Sequence, residues 1–184
     1  MISIVYDVNL YRRTLHSLVK SGDTVIEIGP HVGRAIREYI ERTKLSIAVD
    51  KSEQARKGLK DLLNEFSQLR FVQGDARDFE TVKVVLKFTR NCDILALDIG
   101  GGRFPDTVFK VWSVWSGVFK PRDSIIRNRG LAEFVQRARI MDRSIRKKFL
   151  DNGWLSEWGR ATPYKLKKQM EEFKFWVDVC SAPD

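Results

Sequence analysis

Short runs of β-branched and aliphatic residues alternate along this chain with longer stretches in which apolar positions recur every three or four residues. Val8, Tyr11, Leu15 and Leu18 mark a helix over about 8–20, and Ser21–Ile28, centred on Asp23-Thr-Val-Ile-Glu-Ile, reads as a strand. Val32, Ile36, Tyr39 and Ile40 mark the next helix, Leu45–Val49 a strand, and Ala55, Leu59, Leu62, Leu63 and Phe66 another helix. Arg70–Gln73 is a strand, Thr81–Lys87 a short helix, and Ile94–Leu97 an unbroken apolar run of the kind buried on both faces of a sheet. Val108, Trp112 and Trp115 place an apolar stripe on the following helix, before a strand at Ser124–Arg127. A last long helix is predicted from about Leu131 to Leu150, burying Leu131, Phe134, Val135, Ala138, Met141, Ile145 and Phe149.

Strands separated by helices of this length need crossover connections. The pattern therefore predicts an α/β fold, a Rossmann-like doubly wound sheet that is mainly parallel with helices on both faces. Beyond Gly153 the rhythm changes: Trp154–Trp158 and Phe173–Val179 read as two strands around Pro163–Glu172, which predicts an antiparallel C-terminal strand added to the sheet. No repeat, low-complexity tract or linker divides the chain, so residues 1–184 are expected to form one domain.

Composition narrows the class. With 184 residues, 43% apolar and 31% charged, the chain can bury a substantial core. Cys92 and Cys180 are far apart and in no C-x-x-C pattern, which argues against a disulfide framework and against a metal site. The N-terminal stretch lacks the layout of a signal peptide, and no apolar run approaches the roughly 18 residues of a membrane span. A reduced, cytoplasmic setting without a membrane partner is expected. The net charge of +9 is unevenly spread, because between Lys120 and Leu150 ten lysines and arginines stand against three acids. Such a segment suits a polyanion and makes RNA a candidate partner, the alternative being a solvated basic helix face.

Candidate chemistry gathers where the strands end. Glu27-Ile-Gly29-Pro-His31-Val-Gly33 links the first predicted strand to the next helix, and glycine there lets the backbone pass close to a neighbour. The later strands end in Val49-Asp50, in Val72-Gln-Gly74-Asp75-Ala76, and in Leu97-Asp98-Ile-Gly100-Gly101-Gly102. Four successive strands ending in an acid place four carboxylates at the sheet edge where open α/β sheets bind ligands. A dinucleotide fits less well: His31 occupies the second glycine position of G-x-G-x-x-G, and Glu27 would repel a pyrophosphate.

E-I-G-x-x-x-G, V-D, G-D-A and L-D-I-G-G, in that order over roughly residues 20–130, resemble motifs I to IV of the class I S-adenosylmethionine-dependent methyltransferases. The resemblance implies S-adenosylmethionine as cofactor, a cofactor-binding half over about 21–100 and a substrate-side half over about 101–184. It implies that Glu27, Gly29, His31 and Gly33 form the cofactor loop, with Glu27 near the methionine end. Asp50 would bind the ribose, Asp75 and Ala76 the adenine, and Asp98 would lie beside the sulfonium methyl. The terminal strands would correspond to the family's sixth and seventh. The usual second glycine is His31 here, so a partly different loop shape is expected.

The acceptor is less constrained. Asp98 is the candidate catalytic residue, able to align a nucleophile or take its proton, with Asn128 as a weaker candidate. The N/D-P-P-Y/F sequence of many amino-group methyltransferases and the Pro-Cys nucleophile of cytosine C5 chemistry are both absent. Ribose 2′-O chemistry of the heat-shock type would match Asp98 and Glu172, but its lysine positions fall near Arg12 or Arg13 and at Arg127, and arginine does not act as a base. Arg127 and Arg129 are expected to face the cleft and bind substrate, the alternative for this segment being ion pairs to Asp98 or Asp123, with Arg139, Arg143 and Lys147 on the exposed side of the last helix. Trp112 and Trp115 read as core. These residues predict a methyltransferase with RNA as candidate substrate; a small anionic metabolite or a protein is the alternative acceptor, and a catalytically silent cofactor- or RNA-binding module the third reading.

Overall fold

The computed structural model describes residues 1–142 and 151–155. β1 (Ile2–Val5) leads into α1 (Val8–Leu18), started by Asp7, whose carboxylate accepts a hydrogen bond from the Leu10 amide at 2.7 Å. There follow β2 (Asp23–Ile28), α2 (Arg34–Tyr39), β3 (Thr43–Asp50), α3 (Glu53–Gly58), α4 (Lys60–Glu65), β4 (Leu69–Gln73) and α5 (Phe79–Leu86). The described elements end with β5 (Ile94–Leu97), α6 (Pro105–Phe119), β6 (Asp123–Arg127) and α7 (Arg129–Arg137).

These strands form one sheet in the order β1-β6-β5-β2-β3-β4, and each pairing is parallel. From β2 the chain steps outward through β3 and β4, then crosses back to build β5 and β6 on the other side. The direction of winding therefore reverses between β2 and β5, and connections leaving these strands diverge there to open a crevice.

Alternate strand residues feed two cores. Ile26, Val49 and Leu95 pack on one face against Trp112, Trp115 and Val82, while Val25, Ala48 and Ile94 pack on the other against Tyr11, Leu15, Ile36 and Leu59. Helices on both faces thus bury the predicted apolar runs. Both indoles of α6 belong to the core and satisfy their N–H groups there, Trp112 on Ser124 Oγ at 3.0 Å and Trp115 on the Ala76 carbonyl at 2.7 Å.

Several details depart from the sequence pattern. β1 has only four residues and pairs Ile2 with Ser124, so neither its length nor its partner carries a local signal. Because β1 and β5 flank β6, both sides of β6 are occupied. The predicted antiparallel strand at 173–179 lies outside the described residues, and Trp154 and Leu155 form no strand. The helix expected through 55–66 is broken between Gly58 and Lys60; Gly58 sits so close to the loop before α2 that a Cβ would lie 2.8 Å from Val32 Cγ1. The long C-terminal helix is shorter than expected. α7 ends at Arg137, the backbone at Ala138 is extended, and no residue of α7 is buried. Phe134 is 67% exposed, and Val135 and Met141 are exposed too; the apolar spacing is helical, but of that face only Leu131 packs against the core. Ile145 and Phe149 lie outside the described residues. Among the described residues no helix is long and apolar enough to cross a membrane.

Candidate active site

A cleft of about 680 Å³ lies over the C-terminal ends of β2, β3, β4 and β5, at the reversal point. The turn after β2 forms its floor. Gly29, His31 and Gly33 have φ of 79°, 52° and 75°, so every second residue is left-handed. At Gly29 the conformation is forced by close approach as well, since a Cβ would fall 2.4 Å from the Asp98 carbonyl oxygen. His31 adopts the left-handed geometry that glycine takes readily, at a cost of roughly 1–2 kcal/mol for an L-residue, and its side chain stands exposed on the cleft wall.

Glu27 is 1% exposed. Tyr39 donates to its Oε2 at 2.9 Å, and the Tyr11 hydroxyl lies 3.5 Å from Oε1. Burial pushes the Glu27 carboxyl up to about 7, the tyrosine hydrogen bonds and Arg12 oppose the rise, and repulsion from Asp98 adds to it. Burial and the neighbouring carboxylate also raise both tyrosine hydroxyls well above their ordinary range.

Asp50 ends β3 and accepts one hydrogen bond, from the Ser52 amide at 2.9 Å onto Oδ1. Ser52, not Asp50, caps α3 through the Ala55 amide, which leaves Asp50 Oδ2 without a protein donor among the described residues. Asp75 is more heavily engaged. Its Oδ1 accepts from the Arg77 amide and Nε, each at 2.9 Å, and its Oδ2 from Nη2 at 2.7 Å. Burial raises the Asp75 carboxyl, but the Arg77 bonds outweigh that and hold it below its ordinary value.

Asp98 and Arg127 form an ion pair, Nη1 lying 2.9 Å from Oδ1 and 3.1 Å from Oδ2. The same guanidinium donates from Nε to the Tyr6 carbonyl at 2.9 Å. Burial lifts the Asp98 carboxyl above its ordinary range, and Arg127 offsets only part of the rise. Arg127 therefore faces the cleft as expected but is committed to Asp98, so it positions a carboxylate instead of standing free for a substrate anion.

The remaining predicted residues separate. Asn128 is fully buried and not on the cleft wall; its Oδ1 caps α7 at the Leu131 amide and its Nδ2 donates to the Arg103 carbonyl, so both ends of the amide are used in holding backbone. That geometry replaces the catalytic reading of Asn128 with a structural one. Arg129 is exposed beside Tyr6. Arg139 lies beyond the end of α7 and not on a helix face, and Arg143 and Lys147 lie outside the described residues. Among the described residues, the cations of the basic segment do not share one surface. Arg122 pairs with Asp23 and Asp123 at the opposite end of β6 from the cleft, and Arg137 pairs with Glu133.

Two cleft residues carried no role in the sequence pattern. Tyr11 and Arg12 come from α1, whose helical phase turns Tyr11 onto the sheet and brings Arg12 beside it to the cleft. Arg12 makes no ion pair among the described residues, and its charge draws the carboxyls of Glu27 and Asp98 downward.

No family model matches the chain. Ribosomal RNA small subunit methyltransferase A of Moorella thermoacetica is 30% identical over 104 residues, which cover 56% of this chain and 33% of that protein. The chain thus matches about a third of the length of this curated relative. A dimethyladenosine transferase from Plasmodium falciparum superposes with a TM-score of 0.54 at 17% identity, over 77% of this chain and 49% of that one. This chain has the class I S-adenosylmethionine-dependent methyltransferase fold. Phosphoethanolamine N-methyltransferase 1 of Haemonchus contortus, solved with phosphoethanolamine and S-adenosylhomocysteine, shares that fold with a TM-score of 0.50 at 16% identity, over 66% of this chain and 25% of that one. In a class I methyltransferase fold the crevice at the reversal point is the natural ligand site. The donor set fits this cofactor: Glu27 and Asp98 suit an ammonium and a sulfonium, the open oxygen of Asp50 suits a diol, and Arg12 suits a carboxylate.

Proposed function

We propose that this chain is an S-adenosylmethionine-dependent methyltransferase acting on RNA in the cytoplasm. The observation that carries the reading is the convergence of Glu27, Asp50, Asp75 and Asp98 on one cleft floored by the left-handed turn at Gly29, His31 and Gly33. Glu27 would face the cofactor's ammonium and Arg12 its carboxylate. Asp50 would accept from the ribose hydroxyls through Oδ2, while Asp75, held rigid by Arg77, and the Ala76 amide would meet the adenine.

Bound cofactor would supply a methyl group already activated on sulfur. The chain's own part is alignment and proton acceptance. Asp98 stands at the end of β5, where its raised carboxyl makes it a stronger base than an exposed aspartate, and Arg127 keeps it oriented and charged. Asp98 would hold the acceptor nitrogen or oxygen in line and accept the proton it loses on methylation.

The likeness to a ribosomal RNA methyltransferase supports RNA as acceptor. The test is transfer of isotopic methyl from labelled cofactor into fractionated cellular RNA, protein and small-molecule pools. Label in RNA is expected. Asp98→Asn should retain cofactor binding and lose most turnover. Label confined to protein or to small anions would replace the RNA reading, and absence of cofactor binding by the parent chain would remove the enzyme reading altogether.

A further inference from the structure

The turn that follows Asp98 has features that cofactor binding does not use. Gly100, Gly101 and Gly102 have φ of 62°, 64° and 85°, and each points its missing side chain somewhere different. A Cβ on Gly100 would lie 2.7 Å from the Phe104 ring, one on Gly102 would lie 3.2 Å from the Tyr6 ring, and one on Gly101 would meet nothing within 4 Å. The turn thus seats one aromatic ring on each flank and leaves its centre open.

Both rings are exposed, Phe104 at 54% and Tyr6 at 47%. Phe104 is also left-handed, φ 57°, and precedes α6 without capping it through its side chain. A bulky residue in that conformation is strained, and here no deep burial of the ring offsets the strain. Each ring carries cations. The Arg103 guanidinium lies 5.4 Å from the Phe104 centroid, and those of Arg127 and Arg129 lie 5.9 and 5.7 Å from that of Tyr6. Arg127 is held by Asp98, whereas Arg103 and Arg129 have no carboxylate partner among the described residues.

Exposed aromatic rings beside unpaired guanidinium groups match a single-stranded nucleic acid, whose bases stack and whose phosphates pair with arginine. We propose that Phe104 and Tyr6 form a stacking platform for an unpaired stretch of RNA: Phe104, on the cleft wall, takes the base presented to Asp98, Tyr6 takes a neighbouring base, and Arg103 and Arg129 hold the phosphates between. This rests on the RNA reading above and adds to it that the acceptor strand is single-stranded and is read from the β1 side.

The probe is a short oligouridylate carrying one 2-aminopurine, titrated into the full chain in the presence of S-adenosylhomocysteine. Binding should quench the fluorophore, and the same strand in a duplex should bind more weakly. Phe104→Leu and Tyr6→Leu should each weaken single-strand binding about tenfold. Phe104→Trp should restore it, and S-adenosylhomocysteine affinity should stay unchanged in all three, which shows that they fold. Arg103→Gln and Arg129→Gln should each reduce the log–log salt slope by about 0.7. Leucine variants that bind the strand as tightly as the parent, with the fluorophore unquenched, overturn the platform and leave the RNA reading standing. A parent chain that binds no RNA and labels none overturns both.

Discussion

The two sides of the cleft, the one proposed to hold the cofactor and the one proposed to face the acceptor, are held in place by different means. On the cofactor side, Asp50 and Asp75 each take a hydrogen bond from the amide two residues downstream, and Gly29 and Gly33 shape the turn between β2 and α2. On the acceptor side, Asp98 is fixed by Arg127, 29 residues away, and Arg127 in turn by the carbonyl of Tyr6, separated from it by 121. Geometry set by near neighbours persists as long as the strand and its turn persist. Geometry set by distant partners depends on the whole sheet being assembled, and on β1 lying beside β6. Damage to the cofactor side should therefore show in cofactor affinity, and damage to the acceptor side in turnover and acceptor binding.

Gly29 is where the two sides touch, so it should give the largest effect. Gly29→Val places a β-branched residue at φ 79°, with its Cβ 2.4 Å from the Asp98 carbonyl oxygen. Strain and clash together should cost about 3 kcal/mol or more, measured as a fall in the urea midpoint, and should abolish cofactor binding. A variant as stable as the parent would show that β2 and β5 can separate at this point.

Glu27 lies beneath both sides and gives a pH test. Its carboxyl is raised in the folded chain from 4.5 to about 7, so the folded state holds its proton where the unfolded state releases it. The sign follows from linkage: the contribution is complete below about pH 4.5 and is lost as pH rises through about 7, a fall of about 3 kcal/mol in full. Asp98, also raised, acts in the same direction, whereas Asp23, Asp75 and Asp123 are lowered and matter only in more acidic solution. Urea midpoints measured across that window should drop for the parent chain and much less for Glu27→Gln. Saturating S-adenosylmethionine, by placing an ammonium near Glu27, should flatten the parent's drop.

The next contrast separates the sides directly. Asp50→Ala removes an oxygen that the ribose would use, and should weaken S-adenosylhomocysteine by about 1.5–3 kcal/mol in calorimetry. Arg127→Gln should leave that affinity nearly unchanged. It removes a cation that lowers the Asp98 carboxyl, so the acidic limb of the turnover profile should move to higher pH. Equal loss of cofactor affinity from both substitutions would mean that the two sides are one coupled unit.

The same contrast explains what the amino-acid sequence reveals by itself. β2 to β6, the glycine turn after β2 and the strand-end acids are legible because each is written in a few consecutive residues. Asp98 is legible as a cleft residue and Arg127, the last residue of β6, as a candidate partner for it, but the spacing alone does not choose between that ion pair, one to Asp123 and a substrate anion. Asn128 looks polar and near the cleft, yet its amide is spent on the start of α7 and on the Arg103 carbonyl. β1 is too short to show a period, and so Tyr6 is invisible as a neighbour of Arg127 and Arg129. Arg12 would be legible only from the phase of α1 relative to β2.

α7 gives the smallest expected effect and the sharpest test of pattern against packing. Leu131, Phe134, Val135 and Ala138 recur as they would on a buried helix face, and that pattern alone predicts a cost of about 3–5 kcal/mol for truncating Phe134. In the folded chain Phe134 is 67% exposed and only Leu131 of this face packs against the core, so the described contacts give Phe134 little to lose. Phe134→Ser should change the urea midpoint by less than about 0.5 kcal/mol, while Trp115→Ala, which empties the core beneath α6, should cost several. The difference between the two variants measures how far an amphipathic period depends on the surface it meets. A loss of several kcal/mol from Phe134→Ser would show that this face is covered in solution, and would restore the packing that the sequence pattern predicts for it.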